Sequence, residues 1–184
     1  RPFRIVVTLH GTDVLLQTRN QITSSLIKYS LEKADALTCV SGFLQKRAEE
    51  FLGANVNIRV IYNFVDTTRF KPAPNVDDLR EKLLGFSDKP ILTHVSNFRQ
   101  VKRAPDVINT FVNVRKKIDA HLLIIGEGPS LDEVQWMTQV NSVHESVTFL
   151  PPQENIIPYL QISDVLLVTS EVESFSLVAI EAAS

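Results

Sequence analysis

The sequence predicts an α/β fold in which parallel strands alternate with helices in two successive series. Short aliphatic or β-branched runs are each followed by a segment with the apolar spacing of a helix, on both sides of a polar, Pro-rich segment at 71–75. We therefore predict the C-terminal part of one domain in residues 1–70, a linker with a short helix in 71–90, and most of a second domain, truncated at its C-terminal end, in 91–184.

The individual elements follow from the apolar periodicity and from the turn residues between the segments. In the first series we predict strands at 4–9, 36–40 and 58–62 and helices at 20–33 and 43–51, the second of these helices stopped by Gly53. In the second series we predict strands at 91–95, 121–125, 147–150 and 165–169, the last of them buried, and helices at 76–84, 104–118, 130–140, 155–162 and from about Ser176 onward. Right-handed crossovers would bring the strand ends of the second series to one edge of a doubly wound sheet.

The amino-acid composition excludes some classes of function. Of 184 residues 44% are hydrophobic and 22% charged, which is typical of globular proteins, and the net charge of −2 argues against a nucleic-acid-binding surface. The single cysteine, Cys39, lies in an apolar run and is predicted to be a buried structural thiol, as expected in a reducing cytoplasm. No apolar run is long enough for membrane insertion. A homo-oligomeric state is compatible with this composition.

Both ends of the sequence resemble the interior of a longer chain. Arg1 and Pro2 lead directly into a strand, and Ser184 falls within a helical pattern. We therefore expect a segment of a larger protein.

Two of the predicted strand ends carry glycine next to polar residues. His10-Gly11-Thr12-Asp13 follows the first strand, where glycine permits a close backbone approach and histidine can donate or accept a hydrogen bond. A purely structural capping role for His10 remains an alternative. Gly126-Glu127-Gly128-Pro129 follows another strand but lacks the G-x-G-x-x-G spacing of dinucleotide-binding loops, so we predict a tight turn that lines the cleft.

Three cations, Arg99, Lys102 and Arg103, follow the strand at 91–95 and precede a helix in which Pro105 suits the first turn. A guanidinium matches the geometry of phosphate oxygens and an ammonium supplies a compact charge, so the combination suits a diphosphate. A solvated basic turn would explain the same cluster. The position between a strand end and a helix start favours an anion site.

The segment 169–184 joins the last strand to the last helix through a loop with Glu171 and Glu173, and Glu181 follows within the helix. Ser174 and Ser176 are candidate N-caps. Free N–H groups at a helix start attract phosphate, whereas a carboxylate can accept both hydrogen bonds of a diol. A sugar joined to a phosphate meets both conditions. An acidic turn that complements the helix dipole is the alternative.

These motifs together resemble those of a known family. Glu173 and Glu181 form an E-x7-E pattern, accompanied by Ser170-Glu-Val-Glu-Ser-Phe175, Gly126-Glu-Gly-Pro129 and Asn63 at a strand end. In these motifs, nearly the whole chain resembles the retaining family 4 glycosyltransferases. The resemblance implies the GT-B fold, with two Rossmann-like domains facing across a cleft. It also implies that a glycine-rich loop and much of the acceptor pocket precede Arg1.

A narrower resemblance concerns the substrates. His10-Gly-Thr-Asp13 together with His94-Val-Ser-Asn-Phe-Arg-Gln-Val-Lys-Arg103 is similar to members that transfer N-acetylglucosamine from UDP-N-acetylglucosamine to L-malate in bacillithiol biosynthesis. The resemblance implies that Arg99 and Lys102 hold the diphosphate, Glu173 and His10 contact the donor sugar, and Glu181 accepts the ribose diol. It further assigns to the nucleotide-sugar site the residues Asn97, Gly126, Ser174, Phe175, Ser176 and Leu177, with 150–154 as the uracil rim. No metal and no cofactor besides the UDP-sugar donor is expected.

Two positions depart from the family pattern, because Ser176 and Pro151-Pro152 stand where relatives commonly have glycine. Two other functions remain open at this point. One is a related UDP-sugar transferase with a lipid or polysaccharide acceptor, and the other is a non-catalytic module that binds a nucleotide sugar.

Overall fold

A computed structural model describes residues 3–11, 21–53 and 56–184, so the predicted roles of Thr12 and Asp13 lie outside the described residues. The chain divides into two compact units. Unit 1 comprises Arg1–Phe64 and Glu173–Leu177, and unit 2 comprises Val65–Val172 and Val178–Ser184. Each unit contains a parallel sheet with helices, which confirms the predicted α/β class.

Unit 1 has a three-stranded sheet in the order β1-β2-β3. Its described elements are β1 (Val6–Leu9), α1 (Gln21–Glu32), β2 (Ala36–Cys39), α2 (Gly42–Leu52) and β3 (Ile58–Val60). The parallel register pairs Thr8 with Thr38 and Leu9 with Cys39. The helix α2 covers the sheet with Leu44 and Ala48, both fully buried, because its apolar residues recur at helical spacing.

Contacts between near neighbours in sequence set both ends of α2, and its end at Gly53 was predicted. The Ser41 hydroxyl accepts a hydrogen bond from the Leu44 N–H at 3.2 Å, which caps the first turn. Gly53 ends the helix at φ 111°, a value that L-residues with side chains rarely adopt. Cys39 is fully buried, and burial raises the pKa of its thiol, so the prediction of a structural thiol is confirmed.

Unit 2 has a four-stranded sheet in the order β6-β5-β4-β7. Its strands are β4 (Ile91–Val95), β5 (His121–Ile125), β6 (Val147–Leu150) and β7 (Val165–Leu166). Its helices are α3 (Val76–Leu84), α4 (Ala104–Arg115), α5 (Leu131–Val140) and α6 (Ile157–Gln161), with 3-10 turns at Gln100–Lys102 and His144–Ser146. The last helix of the chain is α7 (Leu177–Ala182).

The strand β5 is buried over its entire length, because apolar side chains pack on both faces of the sheet of unit 2. On one face Phe98 and Phe111 are fully buried against Leu122 and Ile124. The other face holds Ile91, Leu123, Ile125 and Ile162. The helix α3 is held to the sheet by Arg80, whose guanidinium donates to the Ile162 carbonyl at 2.9 Å and to Asp164 at 2.7 Å.

The predicted buried strand at 165–169 is wrong in length and in burial. The strand β7 contains only Val165 and Leu166, and Val165 is 48% exposed while Val168 is 44% exposed. The reason is that, among the strands of residues 3–11, 21–53 and 56–184, β7 pairs with β4 alone and forms an edge of the sheet, so its other side is not covered by a strand.

Other boundaries differ by a few residues. The predicted strands at 4–9, 36–40 and 58–62 are each shorter at one end, and the predicted helix at 104–118 ends at Arg115, after which the chain makes a turn through Lys117 and Ile118. The helix α7 begins at Leu177. The hydroxyl of Ser174, a candidate cap, donates instead to the His10 carbonyl.

Candidate functional site

The strand order of unit 2 reverses between β4 and β7, so a ligand-binding crevice is expected at the carboxyl ends of these two strands. The chain runs outward from β4 through β5 to β6 and then returns to the opposite side of β4 as β7. In open α/β sheets ligands bind outside the carboxyl ends of the strands where the order reverses in this way. The loops that follow β4 and β7 are the cation loop (residues 96–103) and the acidic loop (residues 167–173).

Within unit 2, two hydrogen bonds join the acidic loop to the cation loop, and a third joins the acidic loop to β4. The Leu167 N–H donates to the Thr93 carbonyl at 2.8 Å, where β4 and β7 end. Farther along, the Glu171 N–H donates to the Val101 carbonyl at 2.9 Å, and the Thr169 hydroxyl donates to the Lys102 carbonyl at 2.8 Å. The backbone that carries the cations is therefore fixed by the chain that follows β7.

The three cations of the cation loop have different surroundings. Arg99 is exposed and precedes the 3-10 turn, whereas Lys102 is half-buried at its end. Arg103 adopts φ 49° and its guanidinium pairs with Asp106 at 2.6 Å at the start of α4. Arg103 is thus engaged in a local ion pair, and we retain Arg99 and Lys102 as the candidate diphosphate ligands.

Gly126 and Gly128 support the cation loop from the neighbouring strand end. A Cβ atom on Gly126 would lie 1.9 Å from the Ser96 carbonyl oxygen, and one on Gly128 would lie 1.9 Å from that of Asn97. Both glycines also have positive φ, 129° and 149°. The predicted tight turn is present, and glycine is required there because two backbones approach closely. Asn97 itself is exposed at this edge.

His94 lies beneath the cation loop and is 3% exposed. Its Nδ1 is 3.0 Å from the Leu167 carbonyl oxygen and its Nε2 is 2.9 Å from the Ser96 hydroxyl. Burial lowers the pKa of His94; the hydrogen bond to Leu167 opposes this effect and the positive charge of Lys102 adds to it. Sequence analysis gave His94 no role of its own. A polar residue in an otherwise apolar strand is the signal that could have revealed it.

Within unit 1, the structure brings His10 together with the segment Glu173–Leu177. The Ser174 hydroxyl donates to the His10 carbonyl at 2.6 Å, and Phe175 packs against the core of the unit. Glu173 is half-buried in the same segment. Five of the predicted sugar-site residues and His10 are thus neighbours in one unit, although they are far apart in sequence.

A cavity of about 240 Å³ opens at the same sheet edge of unit 1. Its lining includes Leu177 and Asn63 together with Thr8 and Thr38, whose hydroxyl groups are 2.8 Å apart. Sequence analysis missed both threonines. Their matching distance from the ends of two adjacent strands was the available signal.

Glu181 lies in α7, in unit 2, where burial raises the pKa of its carboxyl group. A larger depression of about 520 Å³ borders Trp136 on α5 and has no predicted site residue among its lining residues.

Within residues 3–11, 21–53 and 56–184, no cluster of His, Cys, Asp or Glu side chains is placed to hold a metal ion. None of the helices that the structure describes combines the length and apolarity needed to span a bilayer.

Comparison with known proteins identifies the class to which this fold and site belong. The family model of the group 1 glycosyl transferases matches residues 75–184, and that of glycosyltransferase family 4 matches residues 1–69. The chain therefore belongs to the group 1 glycosyl transferases, and its N-terminal part matches glycosyltransferase family 4.

The relatives make this placement more specific. The chain is 36% identical over 179 residues to the N-acetyl-alpha-D-glucosaminyl L-malate synthase of Bacillus anthracis. The aligned region covers 97% of this chain and 47% of that protein. It is 26% identical over 191 residues to a GDP-mannose-dependent phosphatidylinositol monomannoside mannosyltransferase of Mycolicibacterium smegmatis, covering 98% of this chain and 50% of that protein. The chain thus spans about half the length of the curated relatives it matches.

Solved structures agree on the fold. HepE from Anabaena, crystallised with UDP and glucose, superposes with a TM-score of 0.86 at 20% identity over 98% of this chain and 50% of that chain. Sucrose-phosphate synthase from Thermosynechococcus elongatus gives a TM-score of 0.84 at 23% identity over 98% of this chain and 48% of that chain.

Proposed function

We propose that the protein is a retaining enzyme that transfers N-acetylglucosamine from UDP-N-acetylglucosamine to the hydroxyl group of L-malate in bacillithiol biosynthesis. The observation that carries this proposal is the 36% identity to the malate synthase over 97% of the chain, against 31% identity to a D-inositol 3-phosphate glycosyltransferase over 84% of the chain. The cation loop and the Glu173–Leu177 segment supply side chains suited to a nucleotide sugar. We place the reaction in the cytoplasm.

In the proposed reaction the malate hydroxyl oxygen forms a bond to the anomeric carbon of N-acetylglucosamine. The bond from that carbon to the β-phosphate oxygen of UDP breaks, and UDP leaves with the electron pair. The hydroxyl proton passes to the departing phosphate on the same face of the sugar, which retains the anomeric configuration. No nucleophile from the protein takes part.

The side chains act by charge and position. Arg99 and Lys102 stabilise the negative charge that develops on the departing diphosphate, which is the type of interaction that strengthens in a transition state. Glu173 and His10 orient the donor sugar, and Glu181 accepts hydrogen bonds from the ribose diol. Because the phosphate charge is met by cationic side chains, the proposed reaction needs no cofactor besides the UDP-sugar donor.

Six further residues complete the proposed site. Asn97, whose backbone carbonyl closely approaches Gly128, and Gly126, which closely approaches the Ser96 carbonyl, belong to this proposed site. The hydroxyl of Ser174 and the backbone of Phe175, Ser176 and Leu177 approach the sugar and its phosphate, with the hydrogen bond from Ser174 to His10 fixing the start of this segment.

The test uses the full-length protein with UDP-N-acetylglucosamine, and it follows UDP release and product mass. L-malate should give a product, whereas succinate should give none because it has the same two carboxylates without the acceptor hydroxyl. Two alternatives suggested by other relatives are tested in parallel. One is D-inositol 3-phosphate as the acceptor, and the other is GDP-mannose as the donor with phosphatidylinositol monomannoside as the acceptor. A product with one of these and none with L-malate would replace the proposed acceptor, and UDP binding without any product would indicate a non-catalytic module.

A further inference from the structure

We propose that His94 is a positioning residue that holds the cation loop, and with it Arg99 and Lys102, in the geometry that receives the diphosphate. This inference rests on the proposed function and adds to it a residue that touches neither donor nor acceptor. Three features of the described residues carry it: the direction of the hydrogen bonds at His94, the backbone that those bonds maintain, and the link to the acidic loop.

The hydrogen-bond partners determine the tautomer of His94. The Leu167 carbonyl can only accept, so Nδ1, at 3.0 Å from it, carries the proton. In the neutral ring Nε2 is then an acceptor, and it receives the Ser96 hydroxyl proton across 2.9 Å. The oxygen of that hydroxyl is left to accept the Phe98 N–H at 3.2 Å. One chain of bonds therefore runs from the Phe98 backbone through Ser96 and His94 to the end of β7.

The backbone held by this chain of bonds is an unfavourable one. Phe98 adopts φ 45°, in the left-handed region that non-glycine residues rarely occupy, and its side chain is fully buried. The ring of His94 meets the ring of Phe98 edge-on at a centroid distance of 5.8 Å. Since Arg99 is the next residue, the direction in which its side chain leaves the sheet depends on the conformation at Phe98. Such strain persists only where surrounding contacts over-determine it, and it is concentrated at functional sites.

His94 also connects the two loops that flank the crevice. Its bond to Leu167 spans 73 residues of sequence and reaches the first residue of the acidic loop. The same loop holds the Lys102 carbonyl through Thr169. A change at His94 is therefore expected to displace Arg99 through Ser96 and Phe98, and Lys102 through the acidic loop.

The test measures the affinity of the full-length protein for UDP by calorimetry, together with kcat and KM for the donor and for malate. In His94→Asn the shorter amide can still donate toward Leu167 but cannot reach Ser96. We expect UDP to bind roughly tenfold more weakly and transfer to slow by about tenfold to a hundredfold, because small misplacements of binding groups have effects of that size. The KM for malate should stay within about twofold of wild type, since His94 acts on the donor side.

Ser96→Ala removes the middle of the chain of bonds with a milder change, and it serves as the main variant if His94→Asn does not fold. It should weaken UDP binding in the same direction. The double variant should bind UDP about as weakly as His94→Asn alone, because residues that act in one chain of bonds are not additive.

The matched control is His121→Asn. His121 is also buried, lies on the adjacent strand β5, and has a 2.9 Å hydrogen bond from Nε2 to Thr148, but it stands at the opposite end of the sheet. The His121→Asn variant should lose thermal stability and keep wild-type affinity for UDP.

Equal UDP affinities in His94→Asn and His121→Asn, or additive effects of His94→Asn and Ser96→Ala, would overturn the positioning role. Wild-type protein that binds UDP without producing a malate glycoside would contradict the proposed function alone, and failure of wild type to bind UDP would contradict both.

Discussion

The hydroxyl group of Thr169 donates a hydrogen bond to the backbone carbonyl of Lys102 over 2.8 Å, joining positions 67 residues apart in sequence. Thr169 follows β7 and Lys102 ends the 3-10 turn after β4. A side chain of the acidic loop therefore fixes the backbone of a cation that we assign to the diphosphate. A second contact between β4 and the acidic loop is the hydrogen bond from His94 Nδ1 to the Leu167 carbonyl.

Replacement of Thr169 by valine should slow transfer by about fivefold, because one buried hydrogen bond is worth roughly 1 kcal/mol and its loss lets Lys102 move. The measurement is kcat/KM for the UDP-sugar donor. Thr138→Val is the matched control, since the Thr138 hydroxyl also donates to a backbone carbonyl, that of Gln135, at 2.7 Å within α5. Equal rates in the two variants would show that the link to Lys102 has no role in transfer.

Replacement of Lys102 and of Glu181 should separate the chemical step from nucleotide binding. Lys102→Ala should chiefly lower kcat, by roughly a hundredfold, because the ammonium acts on the charge of the departing diphosphate. Glu181→Ala should chiefly weaken UDP binding, by roughly tenfold, because a charge-assisted hydrogen bond to the ribose is lost. Steady-state kinetics and UDP calorimetry distinguish the two effects, and unchanged kinetics in both variants would refute these assignments.

A nucleotide without the diol gives a direct test of Glu181. Wild type should bind 2′,3′-dideoxyuridine diphosphate more weakly than UDP, whereas Glu181→Ala should bind the two nucleotides alike. Continued discrimination between the two nucleotides by the variant would place the diol against another residue.

Alanine at Gly126 should destabilise the protein by more than about 2 kcal/mol, since its Cβ would overlap the Ser96 carbonyl and φ is 129°. The displaced cation loop should also lose affinity for UDP. Gly42→Ala is the control, because nothing lies within 4 Å of a Cβ at this first position of α2 and alanine suits a helix. Urea unfolding and UDP titration of both variants provide the measurements. Equal stability in the two variants would contradict the close approach of the two backbones.

Methionine at Arg80 should reduce the free energy of unfolding by roughly 2 kcal/mol, because the Arg80 side chain is 12% exposed and its guanidinium donates to both the Ile162 carbonyl and Asp164. The same substitution at Arg4, whose side chain is 87% exposed in its ion pair with Asp35, should change it by less than about 1 kcal/mol. Urea denaturation at neutral pH measures both. A larger effect at Arg4 would contradict the role of burial.

Lowering the pH should reduce the free energy of unfolding, because protonation of His121 disfavours the folded state. Burial, with the nearby charges of Lys89 and Arg115, lowers the pKa of His121 from 6.5 to about 4. The unfolded chain therefore takes up this proton first, so the stability associated with neutral His121 is present above about pH 6.5 and is lost as the pH falls toward 4. The lowered pKa of His94 acts in the same direction.

His121→Gln should flatten this dependence, because glutamine can bond to Thr148 but does not titrate in this range. Urea midpoints measured between pH 4 and pH 7 make the comparison. An unchanged slope in the variant would assign the acid sensitivity to other groups.

Much of the local structure was predictable because its causes lie within a few residues. Ser41 begins α2 and Gly53 ends it through contacts that span three or four positions. The strands β4, β5 and β6 were predicted to the residue, since each is a short run rich in aliphatic and β-branched residues that ends at polar, glycine or proline residues. The E-x7-E spacing and the cations after β4 likewise depend only on the order of residues along the chain.

Tertiary structure decided what depends on neighbours distant in sequence. An apolar run does not reveal whether strands will flank it on both sides, which is why β7 was predicted to be buried and is an exposed edge. The position of the crevice between β4 and β7, the bond from His94 to Leu167 and the attachment of Ser174 to His10 all require the folded sheets. Residue order alone determined which chemical groups are present and where β1, β4, β5 and β6 end. Which of those ends become neighbours was determined by strand order and packing, because these contacts join segments 73 to 164 residues apart.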